Sequence, residues 1–457
     1  MIKSPSKPEA APLIPRTMYA FAVNLILLPL SLANGVLIAR VVGPTGKGAY
    51  DLILACAGLL IMVLGFSLAP GITYVVARGT TNIRALGLSL LKVAVAQAAA
   101  TLLILILLTQ TRYSHYFLPS EIGSWLIIGI SIFVFFELVT AQWRAMLVGR
   151  QEIAKVSKAE LLGRILQFLL LFSLAFALTS GGGRMPVAAL FIVSITTSMI
   201  ISLLLLVKLR LAFKEATGPA SLADVTKFAL PCYLGNLVQF LNYRLDVFIV
   251  SFFAGYAAVG KYTLAVGLGQ LIWMFSNAAA TVLLPKVAVG EPKSHQAYVA
   301  RVSRVSLGVS FVGALVLAIV SYQLIPLLYG EAFRDSLPAL RWILPGIVSF
   351  STVNILAAYL AGVGKPRLNL LVGSLSLVVT IAFDLLLIPR FNIAGAAMAS
   401  SVSYIFSAIL TIRLFIRHTG IPLHTLLLPT SDDLKFTFMV AQPFLRRAGL
   451  LGGAKLT

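Results

Sequence analysis

The chain has 457 residues, of which 59% are hydrophobic and 11% charged, with a mean hydropathy of +0.97 and a formal net charge of +21 at pH 7. Soluble domains carry roughly 25% charged residues, so this composition excludes an ordinary water-soluble fold and names the bilayer as solvent. In a bilayer only helices and closed barrels satisfy their own backbone, and long apolar runs without alternation are helices.

In chain order, apolar windows fall at 17–39, 51–70, 85–108, 122–143, 161–180, 187–207, 228–253, 259–284, 305–329, 338–362, 368–389 and 393–416. Each is near the roughly 20 residues that cross about 30 Å of hydrocarbon. They predict an all-α polytopic membrane protein with twelve transmembrane helices and both termini on one side. The first window is longer than the roughly 7–15 apolar residues of a signal peptide, so it reads as a retained helix.

Positive charge sets the orientation. With a cytoplasmic N-terminus, 24 of the 36 Lys and Arg fall on the inner side. Six lie in outer turns (Arg40, Lys47, Arg112, Arg184, Arg334, Arg390), and 6 within or at the ends of spans. The net charge is therefore topological information and contact with anionic lipid heads, not a nucleic-acid patch. The expected location is the cell membrane. The connections are too short for a soluble domain. The expected organisation is a cytoplasmic segment 1–16, a first lobe 17–210, a cytoplasmic linker 211–227, a second lobe 228–416 and a cytoplasmic tail 417–457. Cys56 and Cys232 sit in apolar runs and read as small fillers. The four histidines form no ligand pattern, so neither a metal nor a cofactor is expected.

A repeat organises the spans. Gly43–Tyr50 and Gly255–Tyr262 both read G-x-x-x-x-G-x-Y, with 255 − 43 = 212. Glycine supplies the free φ of a tight turn, and tyrosine suits a membrane–water boundary. The same offset carries Asn24 onto Asn236 and Asn34 onto Asp246, and Gly149 falls near Gly362. Two six-helix lobes related by a parallel repeat follow, with a cleft between them, an arrangement built for alternating access.

The first span ends in Leu-Ile-Ala-Arg-Val-Val-Gly-Pro (Leu37–Pro44), followed by Gly48-Ala49-Tyr50. The seventh carries Leu230-Pro231, Arg244-Leu245-Asp246, Gly255 and Val259-Gly260-Lys261-Tyr262. Near the end stands Leu387-Ile388-Pro389-Arg390-Phe391-Asn392-Ile393-Ala394-Gly395-Ala396. Across residues 15–416 these stretches resemble the polysaccharide exporters, or lipid-linked oligosaccharide flippases, of the multidrug/oligosaccharidyl-lipid/polysaccharide (MOP) superfamily. The resemblance implies a V-shaped fold with a central cavity. It also implies movement of a polyprenyl-pyrophosphate-linked glycan to the outer leaflet, with a polysaccharide polymerase or glycosyltransferases as partners.

Charged groups cost at least about 2.5–3.5 kcal/mol at a helix centre in the bilayer, so those present face protein or water. In the seventh span Asn236, Gln239, Asn242 and Asp246 lie along one helical face. They can line a cavity and bond sugar hydroxyls, or they can join helices to one another. Asn24 and Asn34 occupy a similar face of the first span. Arg244 lies off the stripe and needs an anion, either a pyrophosphate or a carboxylate. In the eighth span Gln270, Trp273 and Asn277 share a face, and Trp273 either stacks on sugar or packs. Lys92, Glu137 and Arg164 sit at similar depth and are expected to form an ion-paired cluster. In it Lys92 and Arg164 either receive pyrophosphate or snorkel. Asp384 is expected to pair with Arg390. Glu137, Asp246 and Asp384 are the candidate coupling carboxylates, with the ion open.

The nearest rival is an ion-coupled multidrug exporter of the same superfamily. Such exporters keep an acid in the first span, whereas Thr17 to Ala39 holds no Asp or Glu. An enzyme would need a larger extramembrane constellation, and none is expected.

Overall fold

The computed structural model describes residues 13–79, 81–112, 114–119, 125–180, 186–210, 222–289, 292–428, 430 and 433. Side chains are described from residue 27 onward, apart from 28, 115, 179, 180, 289 and 292–294. Its helices are α1 Leu13–Gly65, α2 Leu68–Ala77, α3 Ile83–Thr109, α4 Ser114–Phe117, α5 Trp125–Gly149, α6 Ile153–Ser180, α7 Val187–Arg210, α8 Leu222–Gln270, α9 Trp273–Val289, α10 Pro292–Tyr329, α11 Ser336–Gly362, α12 Pro366–Thr419 and α13 Leu423–Leu427. Among the described residues nine helices are long and apolar enough to cross a membrane. Helix ends follow local chemistry. The Asn82 side chain accepts from the Ala85 N–H at 2.9 Å to cap α3. Pro366 opens α12, and Gly420 closes it with φ of 75°.

Three helices are interrupted. Gly43 in α1 has φ 68°, ψ −174°, and Gly255 in α8 has φ 75°, ψ −179°. Asn392 in α12 has φ 50°, ψ −131°. The two glycines of the repeated turn thus hold the same backbone conformation, one that disfavours a side chain.

The chain divides into two compact units. One comprises Met1–Phe240 with Gly255–Gly260, the other Leu241–Ala254 with Lys261–Thr457. In the first, α5 packs on α2, α3 and α7, and α1 on α6, with Tyr50, Leu171, Leu190 and Val193 in one core cluster. In the second, α11 is the central helix, packed against α9, α10 and α12. Leu283, Val299, Ile355, Tyr359 and Phe415 lie in its core.

Within the first unit the repeated turns meet. A Cβ added to Gly48 would overlap the Tyr256 carbonyl, and one added to Gly260 would overlap the Pro44 carbonyl. The contact is reciprocal, because 256 − 44 and 260 − 48 both equal 212. Gly260→Ala is expected to destabilise by about 1–3 kcal/mol through overpacking, read as a lower melting temperature in detergent. Gly308 in α10 has open space around its Cα, and Gly308→Ala is the control that should hold or raise that temperature.

After α12 the chain docks on α10 of the second unit. Arg304 Nε and Nη2 donate to the two Asp433 carboxylate oxygens at 2.7 and 2.9 Å, and Nη1 donates to the Thr425 carbonyl. The Thr430 N–H and hydroxyl each donate to Asp433 at 2.8 Å. The Arg304 hydrogen bonds hold the Asp433 carboxyl down at about 2. A depressed folded value contributes stability above the free-aspartate range and loses it as pH falls from about 4 through about 2. Proteolysis after Thr419 is expected to accelerate across that window. Asp433→Asn should be fast already at pH 7, since removing one partner of a buried pair costs on the order of 3 kcal/mol.

Candidate functional site

Two buried carboxylates and a chain of hydroxyls form the candidate site, inside the second unit. Asp246 of α8 is 3% exposed. It accepts the Tyr262 phenol, the Val247 N–H at 2.8 Å and the Ser400 hydroxyl at 3.5 Å. The Tyr262 and Ser400 hydroxyls are 3.1 Å apart. The Gly255 interruption lets Asp246 and Tyr262, on either side of it, meet side by side. Asp384 of α12 is fully buried, and neither carboxylate oxygen has a hydrogen-bond partner among the described residues. It lies within electrostatic range of Asp246.

The hydroxyl chain starts one helical turn before Asp246. Asn242 donates to the Gly373 carbonyl at 2.9 Å and accepts from Thr380 at 3.4 Å. The Thr380 and Ser403 hydroxyls are 2.7 Å apart, as are those of Ser403 and Ser376, and Ser407 donates to Ser376 at 2.7 Å. The break at Asn392 folds α12 back so that Ser376 and Thr380 face Ser403 and Ser407.

An aromatic cluster packs nearby. Trp273 is 5% exposed and donates its indole N–H to the Ile347 carbonyl at 2.8 Å. Its ring lies 4.9 Å from Phe350, 5.5 Å from Tyr404 and 5.8 Å from Tyr243. Its indole N–H is thus bonded to backbone and its ring packed against aromatic neighbours.

The remaining predicted residues separate. Asn236 is exposed, belongs to the first unit and donates to Ser67 at 3.2 Å. Gln239 is also exposed, whereas Asn242 and Asp246 are buried in the second unit. Gln270 is half-buried and Asn277 exposed. Arg244 is exposed and makes no ion pair or hydrogen bond among the described residues. A step of two residues on a helix turns its side chain about 200° from Asp246.

The expected Lys92–Glu137–Arg164 ion cluster does not form among the described residues. Glu137 accepts the Ser198 hydroxyl at 2.5 Å, Arg164 donates to Gln167 at 3.1 Å, and Lys92 is exposed. A long flexible cation reaches solvent at less cost than it enters a buried pair. The expected Asp384–Arg390 pair is likewise absent, because Arg390 is exposed while Asp384 is enclosed. The Asn24 side chain lies outside the described residues.

The first unit carries a related constellation. Tyr50 bonds Ser194 at 2.7 Å, as Tyr262 bonds Ser400, and 262 − 50 is again 212. Asn34 is buried, and its amide has no partner among the described residues. So the position that is Asn34 in the first unit is Asp246 in the second. The sequence reading placed both tyrosines at the membrane boundary. They are instead 6% and 1% exposed, and each spends its hydroxyl on an internal partner. Sequence reasoning missed Ser400 and Ser403, and it read Tyr262 only as a turn residue; the signal available was the tyrosine shared by the two turns.

By structure the chain is similar to the lipid II flippase MurJ in an inward closed conformation. The TM-score is 0.68 at 15% identity, over 94% of this chain and 93% of that one. It is also similar to a multidrug resistance MATE family transporter of the MOP superfamily in an inward-facing conformation, with a TM-score of 0.63 at 16% identity over 86% and 94%. The fold is that of the MOP-superfamily transporters.

In sequence, residues 15–289, more than half of the chain, match the polysaccharide biosynthesis protein family, and the chain belongs to that family. It is 25% identical over 273 residues to the "Probable flippase AglR" of Haloferax volcanii, covering 58% of this chain and 56% of that protein. The chain spans about half the length of the curated relatives it matches.

Proposed function

We propose that this protein is an alternating-access flippase that carries a polyprenyl-pyrophosphate-linked oligosaccharide from the cytoplasmic to the outer leaflet. The observation that carries the substrate reading is membership in the polysaccharide biosynthesis family. The rival drug-exporter reading is disfavoured because Thr17 to Ala39 offers no acid with which such an exporter would couple.

On this reading α1, α8 and α12 are each two spans. Their 53, 49 and 54 residues are about twice what crosses a bilayer, and the breaks at Gly43, Gly255 and Asn392 mark the turns. Nine helices then supply twelve spans, in two lobes that rock about the substrate. Asn236, Gln239 and Asn277 offer exposed hydrogen-bonding groups to the glycan. Arg244 receives the pyrophosphate in bidentate geometry. Asp246 and Asp384 form the coupling site. A carboxylate so enclosed persists only with a proton on it or a cation beside it, and taking up or releasing that partner biases the equilibrium between states.

The test is export of surface glycan in cells that depend on this chain. Arg244→Ala is expected to lower export about tenfold, the worth of one charge-assisted hydrogen-bonded contact, while membrane insertion is unchanged. Lipid-linked glycan should accumulate on the inner leaflet. Normal export in that variant removes Arg244 from the site, and normal export in cells lacking the chain removes the function.

A further inference from the structure

The first unit holds a groove of about 320 Å³ among α3, α5 and α7, at the end where α3 begins and α7 finishes. That volume lies in the ordinary range of roughly 300–1,000 Å³ for ligand pockets. Gly87 and Trp143 border it together. A Cβ on Gly87 would stand 3.3 Å from the Trp143 ring, so the indole packs directly against the α3 backbone. Leu88, Leu91, Phe136 and Leu203 make the walls apolar, and Leu88 and Leu203 are themselves exposed.

Arg84, in the first turn of α3, and Arg210, the last residue of α7, line the same groove. Both are exposed, and neither has an ion pair or hydrogen bond among the described residues. Other arginines near these helix ends are neutralised: Arg144 pairs with Glu160 at 2.8 Å and Arg150 with Glu152 at 3.5 Å. Two uncompensated guanidinium groups beside an apolar slot are complementary to a single-phosphate head joined to a hydrocarbon chain.

We propose that this groove is a binding site for an anionic glycerophospholipid. One acyl chain lies along Leu88, Leu91 and Phe136, and the phosphate is held between Arg84 and Arg210. The bilayer presents such molecules sideways to helices of this hydropathy, and the second cation selects a net-negative head over a zwitterionic one. The site is separate from Asp246 and Asp384 and stands independently of the transport reading.

Trp143 gives the readout. The chain has four tryptophans, so Trp125→Phe, Trp273→Phe and Trp342→Phe together leave it as the single fluorophore. In vesicles, phosphatidylglycerol with brominated acyl chains is expected to quench it at roughly 30-fold lower mole fraction than brominated phosphatidylcholine, from about 1 kcal/mol per basic residue. Arg84→Gln with Arg210→Gln should bring the two lipids within about twofold, and the double lysine variant should keep most of the preference. Native mass spectrometry of the unaltered protein, counting retained phosphatidylglycerol against phosphatidylcholine, makes the same comparison without tryptophan changes. Equal binding of the two lipids, or a preference unaffected by the glutamines, overturns the proposal. So does displacement of phosphatidylglycerol by an equal amount of a polyprenyl phosphate, which would assign the groove to an isoprenoid tail.

Discussion

Asp246→Asn and Asp384→Asn are each expected to lower gradient-driven transport roughly 100-fold, the upper part of the range for coupling between sites, while the protein still inserts and folds. The two carboxylates share the interior of one unit, and among the described residues Asp384 has no hydrogen-bond partner to compensate it. Arg244, two residues from Asp246, is exposed and within electrostatic range of it but makes no ion pair with it among the described residues. Asparagine keeps the shape and removes the charge. For Asp384 this change should leave the melting temperature level or raise it, because a buried carboxyl without a hydrogen-bond partner among the described residues is itself destabilising. Proteoliposomes under an imposed proton or sodium gradient read the transport. Two variants with wild-type rates would move coupling away from this pair, leaving Glu137 as the remaining candidate. A Asp384→Asn protein that no longer folds would make the carboxylate structural.

Tyr262→Phe and Tyr50→Phe form the second experiment, with unequal expected outcomes. Both tyrosines stand at the same place in the repeated turn, both are buried, and phenylalanine preserves the packing of each ring. Among the described residues the Tyr50 hydroxyl bonds only Ser194, so its loss should cost about 0.5–1.5 kcal/mol. Tyr262 donates to Asp246, and a hydrogen bond to a charged acceptor is worth about 1.5–3 kcal/mol. The difference reports the charge state of Asp246 in the resting protein. Equal losses in chemical or thermal denaturation would mean that Asp246 is neutral there. Because Tyr262 also meets Ser400, its second contact adds about 0.5–1.5 kcal/mol. A loss for Tyr262→Phe larger than that addition means that Asp246 is ionised, and the same variant should then alter the pH dependence of transport while Tyr50→Phe does not.

Much of the fold was legible because membrane helices answer to averages. A window near 20 residues reports hydrophobicity whatever its neighbours are, and 187–207 and 338–362 emerged as Val187–Arg210 and Ser336–Gly362. The repeated turn was legible because backbone demands glycine directly. Gly43 and Gly255 occupy the same positive-φ conformation, and Gly48 and Gly260 stand where the other turn's carbonyl leaves no room for a Cβ. The family followed from motifs written around those glycines.

The candidate site was legible only in part. Spacing alone put Asn236, Gln239, Asn242 and Asp246 on one helical face, and that face exists. What spacing does not contain is the depth of cover along it, which leaves Asn236 and Gln239 exposed and encloses Asn242 and Asp246. Nor does it contain the partners. Tyrosine is amphipathic, and the sequence offers no means of telling a ring at the membrane boundary from one whose hydroxyl is bonded inside.

The residues alone pointed to the solvent, the apolar windows, the glycines at which the chain turns and three acids within spans, Glu137, Asp246 and Asp384. Only packing settled that Asp246 meets Tyr262 and Ser400, that Thr380 meets Ser403, and that Asp384 meets no hydrogen-bond donor among the described residues. The physical reason is range. Hydropathy, glycine geometry and helical phase act within a few residues along the chain, whereas a buried polar group is satisfied by whatever a distant helix brings to within about 3 Å.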